Sequence, residues 1–361
     1  MSRMELHDQH AARGAHFGEV NGAGVVLHHG DVPAEHAALR ATVGVVDLSG
    51  RSRLCLLGND RAEFLHGQVT NDVKSLAAGQ GCYAALVNHK GRMQADLNIW
   101  RLADELLLDG EPGMGAAITA RLEKFIVAED VQVADAAPHF GLLSAQGPRA
   151  AEAVRTLGWA LPEQPLHFCA VEDGELGSLY LMNHPRVGTA GFDLFAPVAT
   201  LGNVAERLIA AAQSLGGRAC GWDALEIARI EAGIPRFGVD MDETNLPPEA
   251  GIESRAISYR KGCYIGQEVL NRLKVMGHVN RMLCGLRLAG DALPVRGDKL
   301  FHGEREVGRI TSAVRQPMAG VIALGYVRRD CAAPGSALRV ETKNGSADAV
   351  VAALPFEPVN G

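Results

Sequence analysis

The hydrophobic period of this chain changes near residue 280, and no single sheet or helical bundle accommodates both sides of the break. Beyond it, short apolar runs at 283–288, 299–302, 306–312, 321–327 and 337–340 alternate with Gly and Pro. Asn344-Gly345 is a hairpin-turn pair. Runs this short, bounded by turn residues, predict a small all-β barrel of five or six strands. Before the break, two-residue and 3.6-residue periods are mixed. With 361 residues, the chain exceeds one ordinary core and calls for two or three domains.

The first 280 residues read as strands and helices in turn. Residues 52–57 alternate like a strand closed by Gly58. Asp60 with Glu63 has capping-box spacing for a helix that turns Phe64 and Leu65 inward. Strand-like runs at 82–88 and 93–102 flank His89-Lys90-Gly91, where Gly91 is free to take a positive φ. A strand at 105–108, a helix at 114–124 and a strand at 131–133 follow. Residues 140–220 mix both periods. The 202–215 segment is an amphipathic helix stopped by Gly216-Gly217. A further helix runs over 222–232, with Asp223 and Glu226 at capping-box spacing.

Composition removes several function classes. Acids outnumber bases by 42 to 35, a net charge of −7, which argues against a broad nucleic-acid surface. Seven cysteines form no C-x-x-C pair and are odd in number, against a disulfide framework or a thiolate metal cluster. The first 20 residues hold no apolar run, and no apolar stretch of about 20 residues occurs. The expectation is a cytoplasmic protein without membrane partners. His7, His10, His16, His28 and His29 fit no ligand spacing and read as solvated or turn residues; no metal site is expected.

The richest segment is Arg260-Lys-Gly-Cys-Tyr-Ile-Gly-Gln-Glu268. Val269, Leu270 and Leu273 continue one helix face to Gly277, and Glu268 stands four residues before Arg272. Cys263 lies just ahead of that helix. A helix N-terminus and Lys261 would favour the thiolate form and make Cys263 the functional thiol. Gly262 and Gly266 leave room for a ligand or another backbone. Between Glu253 and Arg281, six bases face two acids, a landing place for a polyanion such as a polyglutamate tail.

Lys261-Gly-Cys-Tyr-Ile-Gly-Gln-Glu268 resembles the signature of the YgfZ family, relatives of the folate-dependent aminomethyltransferases. Residues 228–240 and 246–251 resemble the stretch before that signature. Val46-Asp-Leu-Ser49, Asp60, Phe64-Leu65, Thr70-Asn-Asp72, Gly79-Gln80, Tyr83 and Gly91 resemble the superfamily's folate domain. The resemblance implies an α+β, three-domain cloverleaf of the T-protein type. Its folate-binding domains would be 1–50 plus 138–245, and 51–137. A signature segment at 246–280 and a barrel at 281–361 would follow. It implies tetrahydrofolate, or its 5,10-methylene form, as ligand. Tyr83, Asp96, Asp193 and Arg229 would contact it, since a carboxylate matches the two parallel donors of a pterin.

In the aminomethyltransferases this hairpin leads into an Asp-Asp pair, of which the first is expected to assist transfer. Here the pair reads Ala95-Asp96, and Thr189 replaces a family Glu. Alanine holds no proton, which weighs against glycine cleavage. The resemblance therefore implies an accessory protein for assembly or repair of [4Fe–4S] proteins, with iron–sulfur clients as partners and Cys263 and Lys261 in the chemistry. The rival expectations are a folate-dependent aminomethyltransferase or methyltransferase, and a non-catalytic folate-binding factor linked to tRNA modification.

Overall fold

The computed structural model describes residues 4–343 and 345–357, so Asn344 of the expected turn lies outside the described residues. The chain opens with an antiparallel hairpin, β1 (His16–Val20) and β2 (Ala23–His28), and continues into β3 (Gly44–Asp47). Next come β4 (Ser52–Leu57), β5 (Gln80–Val87), β6 (Met93–Arg101), β7 (Leu106–Gly110) and β8 (Gln132–Asp135). Then follow β9 (Phe140–Gln146), β10 (Phe168–Asp173), β11 (Gly177–Asn183), β12 (Gly191–Pro197) and β13 (Arg218–Cys220). The last six strands are β14 (Arg281–Leu288), β15 (Lys299–His302), β16 (Arg305–Gln316), β17 (Gly320–Arg328), β18 (Ala337–Thr342) and β19 (Gly345–Ala352).

Contacts divide the chain into two units, Met1–Ala84 with Ala95–Leu225, and Ala85–Gln94 with Glu226–Gly361. The first unit carries a six-stranded sheet in the order β10-β11-β12-β9-β3-β13. Only its β3–β13 pair is parallel. The helix Leu201–Ser214 packs on this sheet through Leu201, Val204, Ala205, Leu208, Ile209 and Ala212, all buried. That i, i+3/i+4, i+7/i+8 stripe is the period seen in the sequence. Each buried Leu or Ile contributes about 1.5–3 kcal/mol of transfer free energy. A five-stranded sheet follows the order β5-β6-β7-β4-β8, with the tip of the β5–β6 hairpin assigned to the second unit.

The second unit ends in a closed barrel, β14-β17-β16-β15-β18-β19, and β19 returns to pair with β14. Leu286, Leu300, Ile310, Leu338, Val340 and Val351 fill it. Closure removes the unpaired edges that so small a sheet would otherwise expose. Strand β16 runs past the expected residue 312, because a bulge between Ile310 and Ser312 lets it keep pairing with β17.

Several local expectations are corrected. Asp60 precedes the helix Arg61–Gln68 without capping it; its carboxylate accepts from the Asp130 N–H instead. Glu63 pairs with Lys74, and Glu226 pairs with Arg229 and Arg236. Among the N-terminal histidines His10 is buried rather than solvated, while His16 stays exposed as expected. His10 bonds Asp47 at 3.0 Å, His7 stacks on Phe17, and His16 on His28.

Candidate functional site

Tyr83 of β5 and Asp96 of β6 meet in the first unit, the Tyr83 hydroxyl donating to Asp96 Oδ2 at 2.8 Å. Side chains alternate along β6. Met93, Ala95 and Leu97 are buried in the core, while Asp96 and Asn98 take the opposite face. Ala95 is 2% exposed. Ala95 supplies no acid, as the sequence indicates, and the carboxylate of this stretch is Asp96 on the opposite face.

The same face leads into a buried ionic network. Asn98 donates to Asp109 Oδ2 at 3.0 Å, and Arg51 Nε donates to Asp109 Oδ1 at 2.6 Å. Arg51 also donates to Glu111 at 2.8 Å. Arg186, on the loop between β11 and β12, bridges Asp109 and Asp193, at 2.7 Å from each. Asp193 is fully buried on β12. Its oxygens accept from Ser144 Oγ at 2.7 Å, from His184 Nδ1 at 2.7 Å and from Arg186 Nε at 2.9 and 3.1 Å.

The charges in this network fix one another. Burial alone would raise the Asp193 carboxyl, but Arg186 and His184 outweigh it and hold it below the usual carboxylate range. Asp109 is likewise depressed against its burial by Arg186 and Arg51. Burial, then the neighbouring Arg186 charge, pushes His184 down, and its Nδ1 stands 2.7 Å from Asp193 Oδ2. Sequence reasoning singled out Asp193 but missed Arg51, Asp109, His184 and Arg186. The available signal was a charge inside an apolar strand run, as in Leu106-Leu-Leu-Asp109, which marks a buried, paired carboxylate.

In the second unit Arg229 is 3% exposed. Nη1 donates to Asp240 Oδ2 at 2.5 Å, and Nη2 to Ser312 Oγ at 2.9 Å and to Glu226. Burial works against its charge, yet Asp240 and Glu226 raise it further above the ordinary arginine value. The expected tail-binding guanidinium is thus engaged within its own unit.

The signature loop precedes the helix Gln267–Met276, whose N-cap is Gly266. Cys263 lies three residues ahead of that cap, outside the first turn, where a helix end exerts little charge. Cys263 is exposed; the other six cysteines are buried or half-buried. Lys261 is buried, with Nζ 4.8 Å from the centre of the Tyr264 ring. Burial pushes the Tyr264 phenol up to about 12. Gly266 adopts φ +84°, and a Cβ there would stand 2.5 Å from the Asn88 carbonyl oxygen. Its missing side chain admits the hairpin backbone, the second of the two uses the sequence left open. Gln267 donates to the Gly262 carbonyl, and Glu268 pairs with Arg272 across an exposed face. Such an exposed pair contributes about 0.3–0.5 kcal/mol.

Two α/β sheets, a closed terminal barrel and a Tyr–Asp pair beside a hairpin define an aminomethyltransferase-like protein. The sequence matches the GCVT N-terminal domain over residues 6–261 and the glycine cleavage T-protein C-terminal barrel domain over 281–357. The chain belongs to the glycine cleavage T-protein family. It is 27% identical to an aminomethyltransferase of Saccharopolyspora erythraea, over 97% of this chain and 96% of that one. It is 28% identical to one of Thermotoga neapolitana, over 99% and 98%. The crystal structure of glycine cleavage system aminomethyltransferase T from Bartonella henselae superposes with a TM-score of 0.88 at 26% identity, covering 98% and 97% of the two chains.

Tetrahydrofolate, the ligand implied by the resemblance, finds a partial fit. Tyr83 and Asp96 offer a hydroxyl and a carboxylate on one face. The Asp193 edge is occupied by Arg186.

Proposed function

We propose that this chain moves a one-carbon unit to or from tetrahydrofolate as an aminomethyltransferase-like protein. The Tyr83–Asp96 pair carries this reading. A carboxylate held by a hydroxyl on a half-buried face is suited to hold and return a proton while a carbon–nitrogen bond is exchanged. Tetrahydrofolate would supply the amine nitrogens that accept the carbon. Tyr83 orients the carboxylate through Oδ2. The match to aminomethyltransferases over almost the whole chain supports the same reading.

The test is turnover of an aminomethylated donor with tetrahydrofolate, read as 5,10-methylene-tetrahydrofolate. Asp96→Asn should lower kcat by about 10²–10⁴-fold, the usual weight of a general acid–base group. Tyr83→Phe should cost less. Wild-type turnover in the Asp96→Asn protein would sink the proposal.

One observation favours a second reading, service to [4Fe–4S] proteins through a functional thiol: Cys263 is the exposed cysteine of the seven. On this reading Cys263→Ser fails to restore iron–sulfur enzyme activity in cells lacking the protein. Full restoration would remove the thiol from the function.

A further inference from the structure

The lone pairs of Asp193 are spent inside the protein. A carboxylate offers about four acceptor positions. Ser144 Oγ and Arg186 Nε fill Oδ1, at 2.7 and 3.1 Å. His184 Nδ1 and the Arg186 fork fill Oδ2, at 2.7, 2.9 and 2.7 Å. The arginine stands on a loop rather than a strand, with its backbone N–H on Gln146 Oε1 at 2.9 Å. Its Nη2 also donates to Asp109 Oδ2 at 2.7 Å.

A guanidinium presents two parallel N–H donors. The 2-amino-4-oxopyrimidine edge of a pterin presents the same pair, N3–H and the 2-amino group. We infer that Arg186 is an internal stand-in for the pterin edge, covering Asp193 until a ligand displaces it, and so sets the affinity and selectivity for such a ligand. The inference rests on the folate reading proposed above. Displacement leaves neither partner stranded. Ser144 and His184 stay on Asp193 beside the incoming donors, and Arg186 keeps its bond to Asp109. A ligand lacking the two-donor edge gains nothing from this exchange and is excluded. A contact of purely structural purpose would make Arg186 neutral or helpful to binding; a stand-in makes it a competitor.

The experiment uses the full chain with Arg186→Gln and Arg186→Lys. Binding of tetrahydrofolate is measured by calorimetry, and the thermal midpoint is recorded with and without ligand. Two fragments separate the ends of the ligand: 6-methylpterin carries the edge, and p-aminobenzoylglutamate carries the tail. Arg186→Gln should bind tetrahydrofolate and 6-methylpterin at least tenfold more tightly than wild type, with p-aminobenzoylglutamate unchanged. Its unliganded midpoint should fall, and the ligand should raise it by more than in wild type. Arg186→Lys keeps the charge beside Asp109 and Asp193 without the fork, so it should fold and show a smaller gain. If wild type binds tetrahydrofolate and the folded variants bind it equally or more weakly, the stand-in role is wrong. If neither wild type nor Arg186→Lys binds it, the folate reading itself fails and the inference falls with it.

Discussion

The buried network around Asp193 and the signature loop around Cys263 use charge in opposite ways. In the first, every carboxylate lies inside a packed sheet and is matched by guanidinium, hydroxyl or imidazole donors. In the second, the sulfur is exposed on a loop, and the nearby lysine is buried over an aromatic ring. A motif marks both places equally well. Only the first is a strong structural device, because removing one member of a buried charge set leaves its partners desolvated and unpaired. In the second, the sulfur itself is placed for access and adds little to folding.

The sharpest way to break this comparison is Asp193→Ala. It would strand His184 and Ser144 in the interior and leave Arg186 with Asp109 alone, and a loss of about 3–5 kcal/mol is expected from breaking this buried charge set. Chemical denaturation of wild type and variant measures it. A loss below about 1 kcal/mol would mean that the network is solvated and the contrast with the loop is false.

The barrel was legible in the sequence because its apolar runs are separated by Gly and Pro turns, although β16 and β17 are longer than the runs that marked them. The 201–214 helix was legible from its apolar stripe. The Gly91 turn was legible too, since that residue takes φ +70°. The β1–β2 hairpin was not, because its Gly- and His-rich strands carry a weak two-residue pattern and are held by tertiary contacts such as the His7–Phe17 stack. Among the site residues, Tyr83 and Asp96 are bonded to each other, a pairing the sequence did not show. Asp193 and Arg229 could be named from sequence, but their engagement with Arg186 and Asp240 could not. A one-dimensional pattern locates a charge without showing which partner the fold brings to it. The face of Ala95 was readable from period-two alternation, which puts Asp96 and not its neighbour on the polar side.

Acid should sharpen the contrast at intermediate size, since the groups that carry it lie in the first unit. His184 is pushed down by burial and Arg186, and His29 is pushed down to about 4 by burial and the adjacent His10. The unfolded chain binds more protons than the native state between such a lowered value and the ordinary 6.5, so stability falls as pH drops through that window. His29 is half-buried, and screening reduces its share to about 1 kcal/mol. Asp193 and Asp109 act the other way along the scale. Held below the ordinary carboxylate value, they keep their contribution down to about pH 4 and lose it as pH falls through their depressed values. The thermal midpoint of wild type should therefore be level above about pH 7, decline from 6.5 to 4, and fall again below 4. His29→Gln should flatten the first decline. A midpoint that stays level from 7 to 4 would contradict the assignment.

The smallest expected effect falls on the loop. Cys263→Ser changes one exposed atom that packs against nothing in the core, so stability should move by less than about 0.5 kcal/mol. Reactivity should change far more. Under native conditions a thiol reagent should label wild type once and rapidly, at Cys263. Five of the remaining cysteines are buried and Cys169 is half-buried, so they should react more slowly; burial pushes the Cys55 thiol up to about 12 and that of Cys284 to about 11. Cys263→Ser should lose the rapid label and keep its denaturation midpoint. A substantial loss of stability would show that the sulfur is part of the packing rather than presented to a partner. The comparison would then have to be redrawn with both regions on the structural side.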